Sequence, residues 1–256
     1  MLLSLTVCVG CQLQAEKAEE QQSGLEVVID RYDRIENLYL TLADFAALHQ
    51  MRTDYPQQTR TLIEDVLQLG PVNDPDINNR FLVFFQDSTL QALIADVEQA
   101  YEDVDDLNHQ LTNAFRRLSK MLPDIKIPQV YTQIGSLDQS IVVTDSMLGI
   151  SLDKYLGADY PAYLRYGYTE DQRKMMTREY IVPDCLSFYL LSLFPLPDPD
   201  ATTDEQRRWH MAKIQMVVNN VIGRKVFAGK AIDRLEHYRK AHPQMSTRKL
   251  LMLDAI

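Results

Sequence analysis

Two hydrophobic rhythms divide the chain. From Ile35, apolar residues recur at Leu38, Leu42, Phe45 and Leu48, three or four apart, which predicts one helix to about His49 with these residues turned inward. Upstream, the β-branched run at 25–33 predicts a first strand. Tyr55-Pro56 interrupts the helical pattern, because a residue before proline is driven out of the α region, and a short helix from Gln57 to Leu69 ends at Gly70-Pro71. Residues 71–80 are turn-rich, and Phe81, Phe84 and Phe85 form an aromatic cluster expected in the core. Asp87 or Ser88 caps the next helix, whose inner face is Leu90, Leu93, Ile94 and Val97. Another begins near Val104, carries Leu107, Leu111, Phe115, Leu118 and Leu122, and ends at Pro123.

Beyond Pro123 the period becomes extended. Residues 127–135 and 140–145 read as an antiparallel hairpin around a turn with Ser136 and Asp138. The Tyr-rich stretch 155–172 is predicted irregular; helix resumes near Glu170, passes Cys185 and stops near Phe194, because 195-PLPDPD-200 cannot continue it. Thr203 and Gln206 have capping-box spacing for the last long helix, with Trp209, Ala212, Met216, Val217, Asn220 and Phe227 along one face, and a final helix starts near Ser246. The predicted fold class is mainly α with a small antiparallel β-sheet. The predicted organisation is a lipoprotein signal-like segment (1–11), a flexible tether (12–24) and a single mainly helical domain (25–256).

Composition changes this picture little, except at the N-terminus. The net charge of −10 gives no basic surface of the kind that neutralises phosphates along a nucleic acid, so no nucleic-acid partner is expected. In MLLSLTVCVGCQ, Gly10-Cys11 has the form of a bacterial lipoprotein signal's end, where the cysteine becomes the lipidated first residue. The run is too short to span a bilayer. Lipid on Cys11 would hold the chain on a membrane surface, with the polar segment 12-QLQAEKAEEQQSG-24 as tether. Cys185 then stands alone among apolar neighbours, as an inert buried thiol.

Candidate chemistry is sparse. Asp145 and Asp153 flank a turn and could serve as a carboxylate pair; the alternative is that Asp145 caps the turn while Asp153 pairs with Lys154 or a nearby arginine. Tyr155, Tyr160, Tyr163, Tyr166 and Tyr168 could line a groove for a peptide or glycan, or pack as core and rim. Among the five histidines no pair has metal-binding helical spacing, and no Walker loop, nucleophile elbow or dinucleotide fingerprint occurs.

Several ordered motifs resemble those of the gliding motility lipoprotein GldB family: 30-DRYD-33, 111-LTNAF-115 before Leu122-Pro123, 128-PQVYT-132, 145-DSMLGI-150, 152-LDKYLG-157, Tyr160-Pro161 and 179-EYIVPD-184. The resemblance runs from about Asp30 to Phe227. It implies a lipid-anchored protein of the bacterial cell envelope, facing the periplasm or on the outer membrane, with envelope protein partners; in gliding species the family serves surface movement. It also implies distant kinship with zincin-type metallopeptidases, whose His-Glu-x-x-His helix binds zinc. If 219-NNVIG-223 stands at that helix, Asn219, Asn220 and Gly223 replace both ligands and the base, so neither metal nor cofactor is expected. The resulting expectation is a non-catalytic tethered scaffold or binding protein. The alternatives are a hydrolase drawing on Asp145, Asp153, Asp184 and His210, and a peptide- or glycan-binding module using the tyrosines.

Overall fold

The computed structural model describes residues 24–196 and 202–253. Cys11, the signal-like segment and the tether as far as residue 23 lie outside the described residues. The chain enters as an extended segment running along α6 (Asp105–Met121). There Arg116 Nε donates to Leu25 O, Thr112 Oγ1 accepts from Val27 N–H, and Asn108 Oδ1 accepts from Ile29 N–H, each at 2.9 Å. Residues 108, 112 and 116 rise about 6 Å apiece on one helix face, and alternate residues of an extended segment are spaced by about 6.6 Å, so helix side chains substitute for a neighbouring strand.

The segment ends in β1 (Ile29–Asp30) and turns into α1 (Tyr32–Leu42). The predicted single helix from Ile35 to His49 is in fact two. Ala43 adopts left-handed backbone (φ 50°), its N–H closes on Tyr39 O, and Asp44 caps α2 (Phe45–Thr53) by accepting from Ala46 N–H at 2.8 Å. α3 (Pro56–Arg60) has proline in its first turn and continues as a π-helical turn, Thr61–Val66. α4 (Ile77–Phe84) begins inside the predicted loop; Phe81 and Phe85 are fully buried and Phe84 packs against Phe85 from the rim. α5 (Ser88–Ala100) has the expected cap at Asp87 and the expected inner face.

The four-stranded sheet has order β1-β2-β4-β3 and is mixed. β2 (Gln129–Gln133) lies between β1 and β4 (Met147–Ser151), parallel to both, while β3 (Ile141–Val143) pairs antiparallel with β4. The hairpin predicted between 127–135 and 140–145 therefore does not form; the antiparallel partner of 141–143 is the strand after Asp145. Thr144 closes that tight turn, its hydroxyl accepting from Met147 N–H at 3.1 Å and its N–H donating to Met147 O at 2.9 Å. In the central register Tyr131 faces Gly149, where a side chain would meet the tyrosine ring.

The Tyr-rich stretch is more ordered than predicted, with a 3-10 turn (Leu152–Tyr155), α7 (Pro161–Arg165) and α8 (Glu170–Met175). A second 3-10 turn (Arg178–Tyr180) separates α8 from α9 (Ile181–Leu193). α10 (Asp204–Ile222) starts with both halves of the Thr203/Gln206 capping box and stops at Gly223, which is left-handed. Phe227 therefore lies past the helix. α11 (Lys230–Ala241) and α12 (Thr247–Leu251, capped by Ser246) complete the fold, with Ile232, Leu235, Leu250 and Leu251 joining the common core. Among the described residues no helix is long and apolar enough to cross a membrane.

Candidate binding surface

At the carboxyl ends of β2 and β4 the loop 134–137 passes over two buried acids. Ile134 N–H donates to Glu36 Oε2 at 2.9 Å; Gly135 N–H and Leu137 N–H donate to Asp153 at 2.8 and 2.5 Å. Ser136 and Leu137 take left-handed backbone to aim these amides (φ 52° and 66°). Burial raises both carboxyls above the ordinary range; the amide donors oppose the rise, and at Glu36 the charges of Asp153 and Asp33 add to it. Asp33 completes the group, salt-bridged to Arg31 at 2.7 Å and accepting from the Thr132 hydroxyl.

The capping role expected of Asp145 thus falls to Asp153. Asp153 caps the β2–β3 loop and is not hydrogen-bonded to Lys154, whose ammonium goes to Leu137 O at 3.2 Å and the Tyr168 hydroxyl at 2.8 Å. Asp145 is exposed in a turn that Thr144 closes. Asp184 accepts from the Tyr155 hydroxyl at 2.8 Å, and burial pushes its carboxyl up to about 7 against that bond. His210 is buried on α10, and its pKa is lowered by burial first and Lys213 second. Asp145, Asp153, Asp184 and His210 share no hydrogen-bond partner and assemble no acid–base pair, and among the described residues no three His, Cys, Asp or Glu side chains are grouped to hold a metal. Cys185 is buried, and burial raises its thiol pKa.

The tyrosines serve packing. Tyr155 and Tyr163 are core residues; the Tyr163 hydroxyl donates to Asp153 O at 2.7 Å and accepts from Leu156 N–H at 2.8 Å. Tyr160 and Tyr168 are half-buried, each edge-on to Tyr163, and Tyr166 alone is exposed. A groove lined by all five does not exist. Nor does 219–223 suit a zinc-binding turn. Asn219 is buried, with Oδ1 accepting from Val226 and Phe227 N–H and Nδ2 donating to Phe227 O. Asn220 is exposed, and Gly223 lies beyond the helix end, where a second ligand would leave the helical spacing.

What the fold does present to solvent is unexpected. Of the predicted inner face, Ile35 packs against the core and Leu48 is buried, but the rest points outward. Leu38, Leu42 and, at the start of α2, Phe45 are 45%, 70% and 75% exposed, whereas Asp33 and Glu36 are 2% and 0% exposed and Tyr32, Tyr39 and Leu40 are buried with them. At these positions the helix is inverted: Asp33 and Glu36 lie in, Leu38 and Leu42 out. Sequence reasoning missed Asp33 and Glu36 because it followed the leucines; the signal that finds the true face is Tyr32, Glu36, Tyr39 and Leu40, which also have helical spacing. A second open feature is a cleft of about 280 Å³ between α6, α9 and the end of α10. Asn113, Glu179 and Pro183 line it, from two of the motifs behind the family resemblance, together with Arg117, whose Nη1 donates to Val221 O and Ile222 O at 3.0 Å.

Fold and surface define a helix-rich α+β domain around a small mixed sheet, with Asp33, Glu36 and Asp153 buried as internal support and apolar side chains displayed at a helix corner. Residues 14–207, about three quarters of the chain, match the family of the gliding motility protein GldB, and the chain belongs to that family. No curated protein and no solved structure shows a significant match.

Proposed function

We propose that this member of the GldB family is a lipid-anchored protein of the bacterial cell envelope that works without catalysis, docking an envelope protein partner on the corner formed by α1 and α2. The observation that carries this reading is the inverted helix. Burying Asp33 and Glu36 while exposing Leu38, Leu42 and Phe45 opposes the usual partition of side chains, and an apolar surface left open in this way suits a protein–protein contact. A buried Phe or Leu anchor of this kind contributes about 1.5–3 kcal/mol to such a contact. The family membership supports the envelope setting, and the Gly10-Cys11 sequence supports anchorage by lipid on Cys11. Zincin ancestry is not needed for this role, and the dispersed Asp145, Asp153, Asp184 and His210 favour no hydrolase.

The test is partner capture from the envelope with the full-length chain. Wild type should sediment with membranes and retain a partner; Cys11→Ser should leave the membrane fraction. The pair L42D/F45D should lose the partner with an unchanged unfolding midpoint, while Leu164→Asp, at an exposed apolar position on α7, should keep it. Retention of the same partner by L42D/F45D overturns the docking assignment.

A further inference from the structure

A cavity of about 370 Å³ opens between α2, α3 and the loop 72–75. Arg52 and Arg60 both line it. Arg52 is held in place, its Nη2 donating to Asn78 Oδ1 at 2.7 Å. Arg60 is exposed, and among the described residues its guanidinium has no hydrogen-bond or ion-pair partner. The lining carboxylate, Asp74, is already engaged: it lies 2.5 Å from Arg80 Nη2 and accepts from Asp76 N–H at 2.9 Å, and these donors hold its pKa below the usual carboxylate range. The wall is built rather than incidental. Val72 N–H donates to Glu64 Oε1 at 2.7 Å, Arg80 Nη1 donates to Leu69 O at 3.1 Å, and Thr59 is buried with its hydroxyl donating to Met51 O at 2.6 Å.

Two further features point to a ligand. The chain carries a net charge of −10, yet this cavity is lined by two arginines, and among the described residues the Arg60 guanidinium has no carboxylate partner. Arg60 also directly precedes the π-helical turn Thr61–Val66, and single π turns recur at functional sites.

We propose that this cavity binds a phosphate monoester, with Arg52 and Arg60 taking its oxygens. Two guanidinium groups match a dianion, and the planar fork of each fits phosphate oxygens pairwise. A single carboxylate would compensate only one of them. The volume exceeds that of a bare phosphate and accommodates a small organic substituent. That substituent has two sources, a soluble ester or a lipid of the phosphatidic acid type. The second is within reach, since Phe45 lies two turns from Arg52 on the same face of α2, about 10 Å along the axis.

The experiment titrates the full-length chain with inorganic phosphate and glycerol 1-phosphate by calorimetry, and sediments it with phosphatidylcholine vesicles with and without phosphatidic acid. Saturable binding is expected, weakened tenfold or more by Arg60→Gln, since a hydrogen-bonded charge contact contributes about 1.5–3 kcal/mol. It should vanish in R52Q/R60Q and persist in Arg207→Gln, a surface arginine on α10. Among the described residues the Arg60 side chain has no hydrogen-bond or ion-pair partner, so R60Q should keep the wild-type unfolding midpoint, which separates a loss of binding from unfolding. Binding of glycerol 1-phosphate without vesicle binding assigns the soluble ester, and binding to phosphatidic acid vesicles alone assigns the lipid. The proposal is overturned if none of these probes binds, if binding survives R52Q/R60Q, or if acetate displaces phosphate at equal concentration.

Discussion

Asp184 lies where a single proton has a measurable consequence. Burial pushes its carboxyl up to about 7, whereas an unfolded chain releases the same proton near 3.9. Between those values the folded protein holds a proton that the unfolded chain has lost, so stability falls as pH rises through the window and levels off above it. Against Asp184→Asn, the wild-type unfolding free energy should decline by about 3–4 kcal/mol between pH 4 and pH 8 in urea titrations. Parallel curves would show that the carboxyl is solvated. Glu36 and Asp153 act in the same sense, and the difference between wild type and variant isolates Asp184 from them. At this scale the sequence was partly legible. The spacing of Asp153 next to Lys154 suggested an ion pair; that its partners are instead the amides of Gly135 and Leu137 was not legible, because the left-handed residues Ser136 and Leu137 carry no glycine to announce them.

Helices with regular spacing and a polar cap were legible as elements, as α5 and α10 show with Asp87 and the Thr203/Gln206 box. The break at Ala43 was not, since neither proline nor glycine marks it, and the face of α1 was read from its leucines although burial is decided by what packs above the sheet. Strand pairing failed for a related reason. The β-rich runs locate β2 and β3 but not β4, whose five residues are all buried and show no alternation, and the choice between a β2–β3 hairpin and a parallel β2–β4 pair rests on contacts distant in sequence, above all Tyr131 lying across Gly149. A Cβ at position 149 would sit 2.5 Å from Tyr131 Cζ. Gly149→Ala should therefore destabilise the protein by about 3 kcal/mol, and the double variant G149A/Y131L should recover part of that loss in denaturant unfolding. Equal stability of wild type and G149A would mean that the strands shift apart at no cost.

On the scale of the whole molecule, the family match stops at residue 207, yet the fold does not. Lys213 is buried on α10, and its ammonium donates to Leu251 O at 2.9 Å and to Leu253 O, so the end of α12 helps to solvate a buried charge. A chain ending at residue 245 should lose about 3–5 kcal/mol, much as breaking a buried ion pair does. Adding Lys213→Met to the same truncation should restore some of the loss in thermal unfolding, and an unchanged midpoint on truncation would remove this role for α12. The opposite end of the domain has a different consequence. Leu25, Val27 and Ile29 are fastened to Arg116, Thr112 and Asn108 along one helix face. A pull through the N-terminal chain directed along α6 loads these fastenings together, in shear. The same pull directed away from α6 peels them singly, beginning with Arg116. The domain therefore resists drag along one axis more strongly than lift along another, and the mechanical direction of strength is set at the extended segment that precedes β1.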